Sequence, residues 1–158
     1  MADLPPDRFR TILLAGATVG GLGRLRPAPG TWGSLAGLLA AWAIHGLSFP
    51  PTAALASSAA LALLAVPICG RAARLLGGRD PACVVLDEAA AVPLVFVAAP
   101  WRWDTAAVGF LLFRLFDVAK PWPVCWCERL PGGWGIVADD VAAALMSALA
   151  LLLLARAA

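Results

Sequence analysis

The stretch Phe113-Arg114-Leu115-Phe116-Asp117-Val118-Ala119-Lys120-Pro121-Trp122-Pro123 carries charge where its surroundings are apolar. An apolar run leads into it from Thr105 and two prolines stop it, so it reads as the end of a hydrophobic helix running out into a loop. On a helix Arg114, Asp117 and Lys120 recur at i, i+3 and i+6, which puts cation, anion and cation on roughly one face. Ionisable groups at the edge of hydrocarbon are costly, and they are kept mainly where they line a polar cavity or do chemistry.

The rest of the chain supplies the hydrocarbon. Of 158 residues, 61% are hydrophobic and 14% charged, with a mean hydropathy of +0.84; in soluble domains about a quarter of residues are charged. This predicts an all-α, polytopic membrane bundle, a single domain over 1–158. A net charge of +2 with no basic run speaks against a nucleic-acid partner. The opening Met1-Ala2-Asp3-Leu4-Pro5-Pro6-Asp7 is acidic and proline-bearing, so no secretory signal is expected before the first apolar segment. Cys69, Cys83, Cys125 and Cys127 form no C-x-x-C pair and there is one histidine, His45, so a structural zinc site is not expected.

About five apolar segments are expected after a short N-terminal helix. Arg8 to Val19 is too short to span hydrocarbon of roughly 30 Å and suits the interface. Gly20 to Thr31 is a glycine, proline and arginine loop in which Arg26 is a candidate phosphate ligand and Thr31 a candidate helix N-cap. Gly33 to Phe49 and Thr52 to Cys69 form a tight apolar hairpin. Asp80-Pro81 reads as an N-cap with proline at the first helical position, opening a third segment to Trp101 that holds the adjacent carboxylates Asp87 and Glu88. Thr105 to Ala119 is the fourth segment. A polar loop, Cys125 to Ala138, carries Glu128, Arg129 and Gly132-Gly133-Trp134-Gly135, and Asp139-Asp140 introduces the last apolar run to Ala155.

In such a bundle Arg8, Arg10, Arg24, Arg26, Arg71, Arg74, Arg79, Lys120 and Arg129 fall on one side, with Arg102 and Arg156 on the other and Arg114 inside a segment. The excess of basic residues marks the first side as cytoplasmic. Asp80, Asp87, Glu88, Asp117, Asp139 and Asp140 then converge on that end.

Several carboxylates without histidine or cysteine partners make an oxygen-ligand site that suits a hard cation, Mg²⁺ above all. Such an ion usually completes its shell with water and substrate phosphate, and Arg26, Arg114, Lys120 and Arg129 are placed to neutralise phosphate oxygens. Anions and cations assembled at a membrane surface point to phosphoryl chemistry on a lipid head group. No cysteine is followed six positions later by arginine, only one histidine is present, and neither a D-x-D nor a G-x-x-x-x-G-K-[ST] motif occurs. Those absences rule out the cysteine and two-histidine phosphatase designs, speak against the D-x-D group and leave nucleotide-driven transport without support. A transporter or a structural membrane subunit with a buried charge cluster is the alternative, although a transporter needs a polar path to the far side, where little besides Trp101 to Asp104 and Arg156 is found.

Four blocks, taken together, resemble the phosphatidylglycerophosphatase A family of bacterial inner-membrane enzymes. They are Pro29-Gly30-Thr31-Trp32-Gly33-Ser34; Asp80 with Val84-Val85-Leu86-Asp87-Glu88; Phe113 to Pro123; and Gly132-Gly133-Trp134-Gly135-Ile136-Val137-Ala138-Asp139-Asp140. The resemblance implies an all-helical fold and Mg²⁺-dependent removal of the terminal phosphate of phosphatidylglycerophosphate, a phospholipid substrate. It matches Asp80, Asp87, Glu88, Asp117, Asp139 and Asp140 to the family's acidic positions and Arg114, Lys120 and Arg129 to its basic ones. Metal ligands are then expected among Asp80, Asp87, Glu88, Asp139 and Asp140, catalytic roles for Asp87, Glu88, Asp117, Asp139 and Asp140, and substrate contacts from Arg114, Lys120 and Arg129, with Arg26 and Thr31 added from the reading of their loop. The attacking group is either water or an aspartate. The chain departs from the family's usual pattern at Arg26, Ala91, Glu128 and Ala144.

Overall fold

Pro29 and Pro51 each sit in the first turn of a helix, α2 (Pro29–Gly46) and α3 (Pro51–Leu76). Proline suits that place because the first turn leaves its amides unpaired and the ring already holds a helical φ. Helix α2 therefore starts two residues ahead of Thr31, which lies inside the first turn, and Ala28 takes the cap position without a side-chain bond. A computed structural model describes residues 7–99 and 101–157. The acidic start, Met1 to Pro6, lies outside them.

Helix α1 (Asp7–Ala17) is the short N-terminal helix the sequence leads one to expect. It passes through left-handed Val19, Gly20 and Gly21 into a 3-10 turn, Leu22–Arg24. Helix α3 runs 26 residues and stops at Gly77, whose φ of 75° lets its amide reach back to the Ala73 carbonyl. Beyond it stand α4 (Leu86–Ala91), a 3-10 turn (Val92–Phe96), α5 (Trp103–Ala119), α6 (Val124–Cys127) and α7 (Gly133–Ala157).

Among the described residues there is no strand, so the chain is all-helical. Two helices, α3 and α7, are long and apolar enough to cross a membrane, fewer than the five apolar segments suggest. The third segment accounts for much of the difference. Asp80-Pro81 opens no helix: the Val84 amide bonds the Pro81 carbonyl at 2.8 Å and the Val85 amide bonds Ala17 O of α1 at 3.0 Å, which holds this stretch open until Leu86. Helix α4 then tightens into the 3-10 turn at Pro93, and all five residues of that turn are buried. This segment is packed core.

One cluster gathers Val92, Val95 and Phe96 with Phe113, Val124, Ala143 and Ala144; a second joins Ala17, Cys69 and Ala72 with Val84, Ile136 and Val137. Both rest on α7. Where α7 crosses α3, a Cβ at Gly133 would run into the Val66 carbonyl and lie 3.0 Å from Gly70 N, so the backbones touch at a point only glycine allows. That contact begins α7 six residues before Asp139. The two aspartates are thus second-turn residues of a long helix and not its opening anions.

Candidate active site

The backbone brings four elements to one end of the bundle. Helix α4 presents Asp87 and Glu88 in its first turn, α7 presents Asp139 and Asp140, and the end of α5 presents Arg114 and Asp117. The start of α2 supplies the wall at Pro29 and Gly30. Together with Asp80 and Lys120 these residues line a cavity of about 260 Å³. Six carboxylates face two cations there, a formal excess of four negative charges.

Each cation is tied to the acids. Arg114 Nη1 lies 2.6 Å from Asp117 Oδ2, one helical turn on, and 3.5 Å from Glu88 Oε1; it also donates to Ser34 Oγ at 3.3 Å. The i, i+3 pairing expected from sequence is therefore present. Lys120 leaves the pattern, because it caps α5 in the left-handed region (φ 44°, ψ 53°) with its amide on Phe116 O. A non-glycine residue is strained there by about 1 kcal/mol or more. The turn swings Nζ onto α7, 2.9 Å from Asp139 Oδ2 and 3.2 Å from Glu128 Oε1. Although partial burial opposes its charge, the bonds to Asp139 and Glu128 hold the Lys120 ammonium above its ordinary value.

Asp80 stands at the open rim. Neighbouring protein still strips enough water to push its carboxyl above the ordinary value, against the attraction of Lys120, while Glu128 and Asp117 add to the rise. Deeper in, Asp87 Oδ1 accepts the Glu88 amide at 3.0 Å. Glu88 Oε2 and Asp139 Oδ1 are buried without a hydrogen-bond partner among the described residues. Buried carboxylate oxygens rarely stay unpaired, so these two call for a ligand. The Glu88 carboxylate fits only because α2 offers glycine: a Cβ at Gly30 would collide with Oε1, and one at Gly33 would lie 2.5 Å from Oε2 and 2.7 Å from Val85 Cβ.

The donor set is all oxygen, as a hard cation requires, and a net-negative cavity can admit an anion only with a counter-cation. The acids do not close into a cage: among the described residues no three His, Cys, Asp or Glu side chains form a group able to hold an ion. Mg²⁺ is commonly held by one or two carboxylates with water and phosphate completing its shell, so the two unpaired oxygens fit it without such a cage.

Of the remaining candidates, Arg26 and Arg129 are exposed, and neither they nor Thr31 line the cavity. Arg79 escaped the sequence reading. It donates from Nη2 to Glu128 O at 3.0 Å and lines a second hollow beside the first. Its one sequence signal is adjacency to Asp80 after the glycine turn.

Fold and site define an all-helical chain that gathers acids and bases at one end of apolar helices. The chain belongs to the phosphatidylglycerophosphatase A family, whose sequence model matches residues 15–155. It is 40% identical to the phosphatidylglycerophosphatase A of Haemophilus influenzae over 79% of this chain and 77% of that one. The Escherichia coli phosphatidylglycerophosphatase A is 35% identical over 76% of this chain and 70% of that one. A Bacteroides thetaiotaomicron protein, provisionally named a phosphatidylinositol-3-phosphatase, is 39% identical over 76% of this chain and 79% of its own. No solved structure matches.

Proposed function

We propose that this chain is a Mg²⁺-dependent membrane phosphatase that removes the terminal phosphate of phosphatidylglycerophosphate, giving phosphatidylglycerol. The observation that carries the reading is the cavity in which six carboxylates surround Arg114 and Lys120. The family and two of the named relatives point to the same substrate. The bundle is polytopic in the bacterial inner membrane, with the cavity facing the cytoplasm. Large apolar side chains support this, for Leu39 on α2, Leu64 on α3, Leu111 on α5 and Leu149 on α7 are all more than half exposed.

In this mechanism the phosphomonoester enters between Arg114 and Lys120, whose charges stabilise the equatorial oxygens as the P–O bond breaks. Asp117 orients Arg114, and Ser34 accepts a second bond from it. Asp139 is held through Oδ2 by Lys120, which leaves Oδ1 free to take the proton of an attacking water as its oxygen bonds to phosphorus and to return that proton to the leaving glycerol oxygen as the P–O bond breaks. The ion would be held by Glu88 with carboxylates among Asp80, Asp87 and Asp140, since both oxygens of Asp139 are already engaged. When bound it supplies charge neutralisation and Lewis acidity to the phosphate.

The test is phosphate release by purified protein from phosphatidylglycerophosphate and from other lipid phosphomonoesters, with Mg²⁺, without it, and with excess chelator. Release confined to the Mg²⁺ arm and fastest on phosphatidylglycerophosphate is expected. Equal release after chelation would reject the metal's role, and no release from any lipid would reject the enzyme.

A further inference from the structure

The catalytic cavity has a neighbour. A hollow of about 460 Å³ lies against it, and the two share Asp80 and Ile136 as a common wall. Among the described residues its lining carries one cation, Arg79, which donates from Nη2 to the Glu128 carbonyl, and two carboxylates: Asp80, one of the residues that would hold the ion, and Glu128, whose Oε1 lies 3.2 Å from Lys120 Nζ. Leu130, Gly132 and Gly135 complete its lining. Around this end Trp122, Trp126 and Trp134 are 78%, 62% and 53% exposed, the placement of indoles that settle at head-group depth.

We propose that this second hollow is a subsite for a phosphodiester, with Arg79 as the specificity-determining residue. The inference rests on the function proposed above and deepens it. The substrates in the relatives' names share one architecture: a phosphatidyl group, and so an internal phosphodiester, joined through a polyol to a phosphomonoester. One site must then hold two phosphates of different charge. The dianionic monoester matches the cavity of Arg114, Lys120 and a divalent ion. With Glu128 paired to Lys120 and Asp80 turned to the ion, the charge left to this hollow is the Arg79 guanidinium, whose fork suits the singly negative diester. Because the hollows share a wall, a short polyol can cross Asp80 with a phosphate on either side. Leu130 and the exposed indoles then lead the acyl chains toward the bilayer.

Arg79 also touches the catalytic network, since Glu128 is bonded by Arg79 through its carbonyl and by Lys120 through its carboxylate. A merely structural Arg79 would therefore act on turnover through Lys120. A diester ligand acts on binding, because the diester is unchanged in the reaction and is held equally in ground and transition states.

The experiment compares two water-soluble substrates: deacylated phosphatidylglycerophosphate, which has both phosphates, and glycerol 3-phosphate, which has the monoester alone. For Arg79→Gln, kcat/KM on the first should fall roughly 10- to 100-fold, the size of one charge-assisted hydrogen bond, through KM with kcat held. On the second it should fall far less, and Arg79→Lys should recover part of the loss. An equal fall on both substrates, or a fall in kcat alone, overturns the proposal. Binding of glycerophosphoglycerol, which carries only the diester, is measured by calorimetry on wild type and Arg79→Gln in detergent. Loss of that affinity in the variant supports the subsite even if no substrate is turned over, and unchanged affinity overturns it, so failure of the subsite and failure of the enzymatic reading are distinguishable.

Discussion

Gly30→Ala separates the site from the scaffold more cleanly than any carboxylate substitution. Gly30 lies in the first turn of α2 at an ordinary φ, and alanine is the better helix former by about 1 kcal/mol. The scaffold should therefore hold or gain stability. The added Cβ, however, would overlap Glu88 Oε1 and lie 3.1 Å from Glu88 Cδ and 3.3 Å from Arg114 Nη1. The backbone of α2 is fixed by its packing, so the flexible carboxylate gives way by about 1 Å, and a misplacement of that size costs roughly 100-fold in rate. It also pulls Oε1 away from a guanidinium already at 3.5 Å. The expected outcome is a kcat on phosphatidylglycerophosphate down about 100-fold with a melting temperature at or above that of wild type. The assay is Mg²⁺-dependent phosphate release with a thermal melt on the same preparation. A kcat within about twofold of wild type would refute the argument that Glu88 must stay where glycine lets it lie.

Three further outcomes are expected. Asp87→Asn should lower turnover at least about 100-fold while the protein still inserts and melts as wild type, whereas a structural subunit would lose nothing; activity and membrane fractionation decide. Lys120→Met leaves the buried Asp139 without its cation and should cost about 1–3 kcal/mol in denaturant titration, with a loss of kcat. Since the native pairs raise the Lys120 ammonium above its ordinary 10.5, that stability gap should be the same at about pH 7 and about pH 9, closing only as pH climbs through the raised value. Gly133→Ala drives a methyl into the Val66 carbonyl where α3 and α7 touch, and should lower the melting temperature by an amount equivalent to about 1–3 kcal/mol.

The composition and the proline stops made the helices readable, and the charged end of α5 is where the sequence puts it. What local pattern could not show was long-range. Asp80-Pro81 has the form of a helix start, but the bond from Val85 to Ala17 O, across more than sixty positions, keeps the next turn open. Gly132-Gly133 has the composition of a loop, yet the approach of Gly70 requires glycine inside α7. Asp139 and Asp140, expected at the start of the last apolar run, therefore lie in the second turn of α7, and they line the cavity with the other acids. The six acids and two bases that line the cavity were visible in the sequence as charge within or beside apolar runs. Arg79 was not, because an arginine beside a turn differs in no local way from those, such as Arg74, that only mark topology.

A chain of formal charge +2 that encloses a formal −4 carries +6 on everything else. Its exterior therefore favours anionic head groups, while its interior repels them unless, as we propose, a divalent ion enters with them. Attraction and admission are governed by opposite fields, so the affinity of this protein for a membrane and its affinity for a single lipid should respond independently to salt and to magnesium.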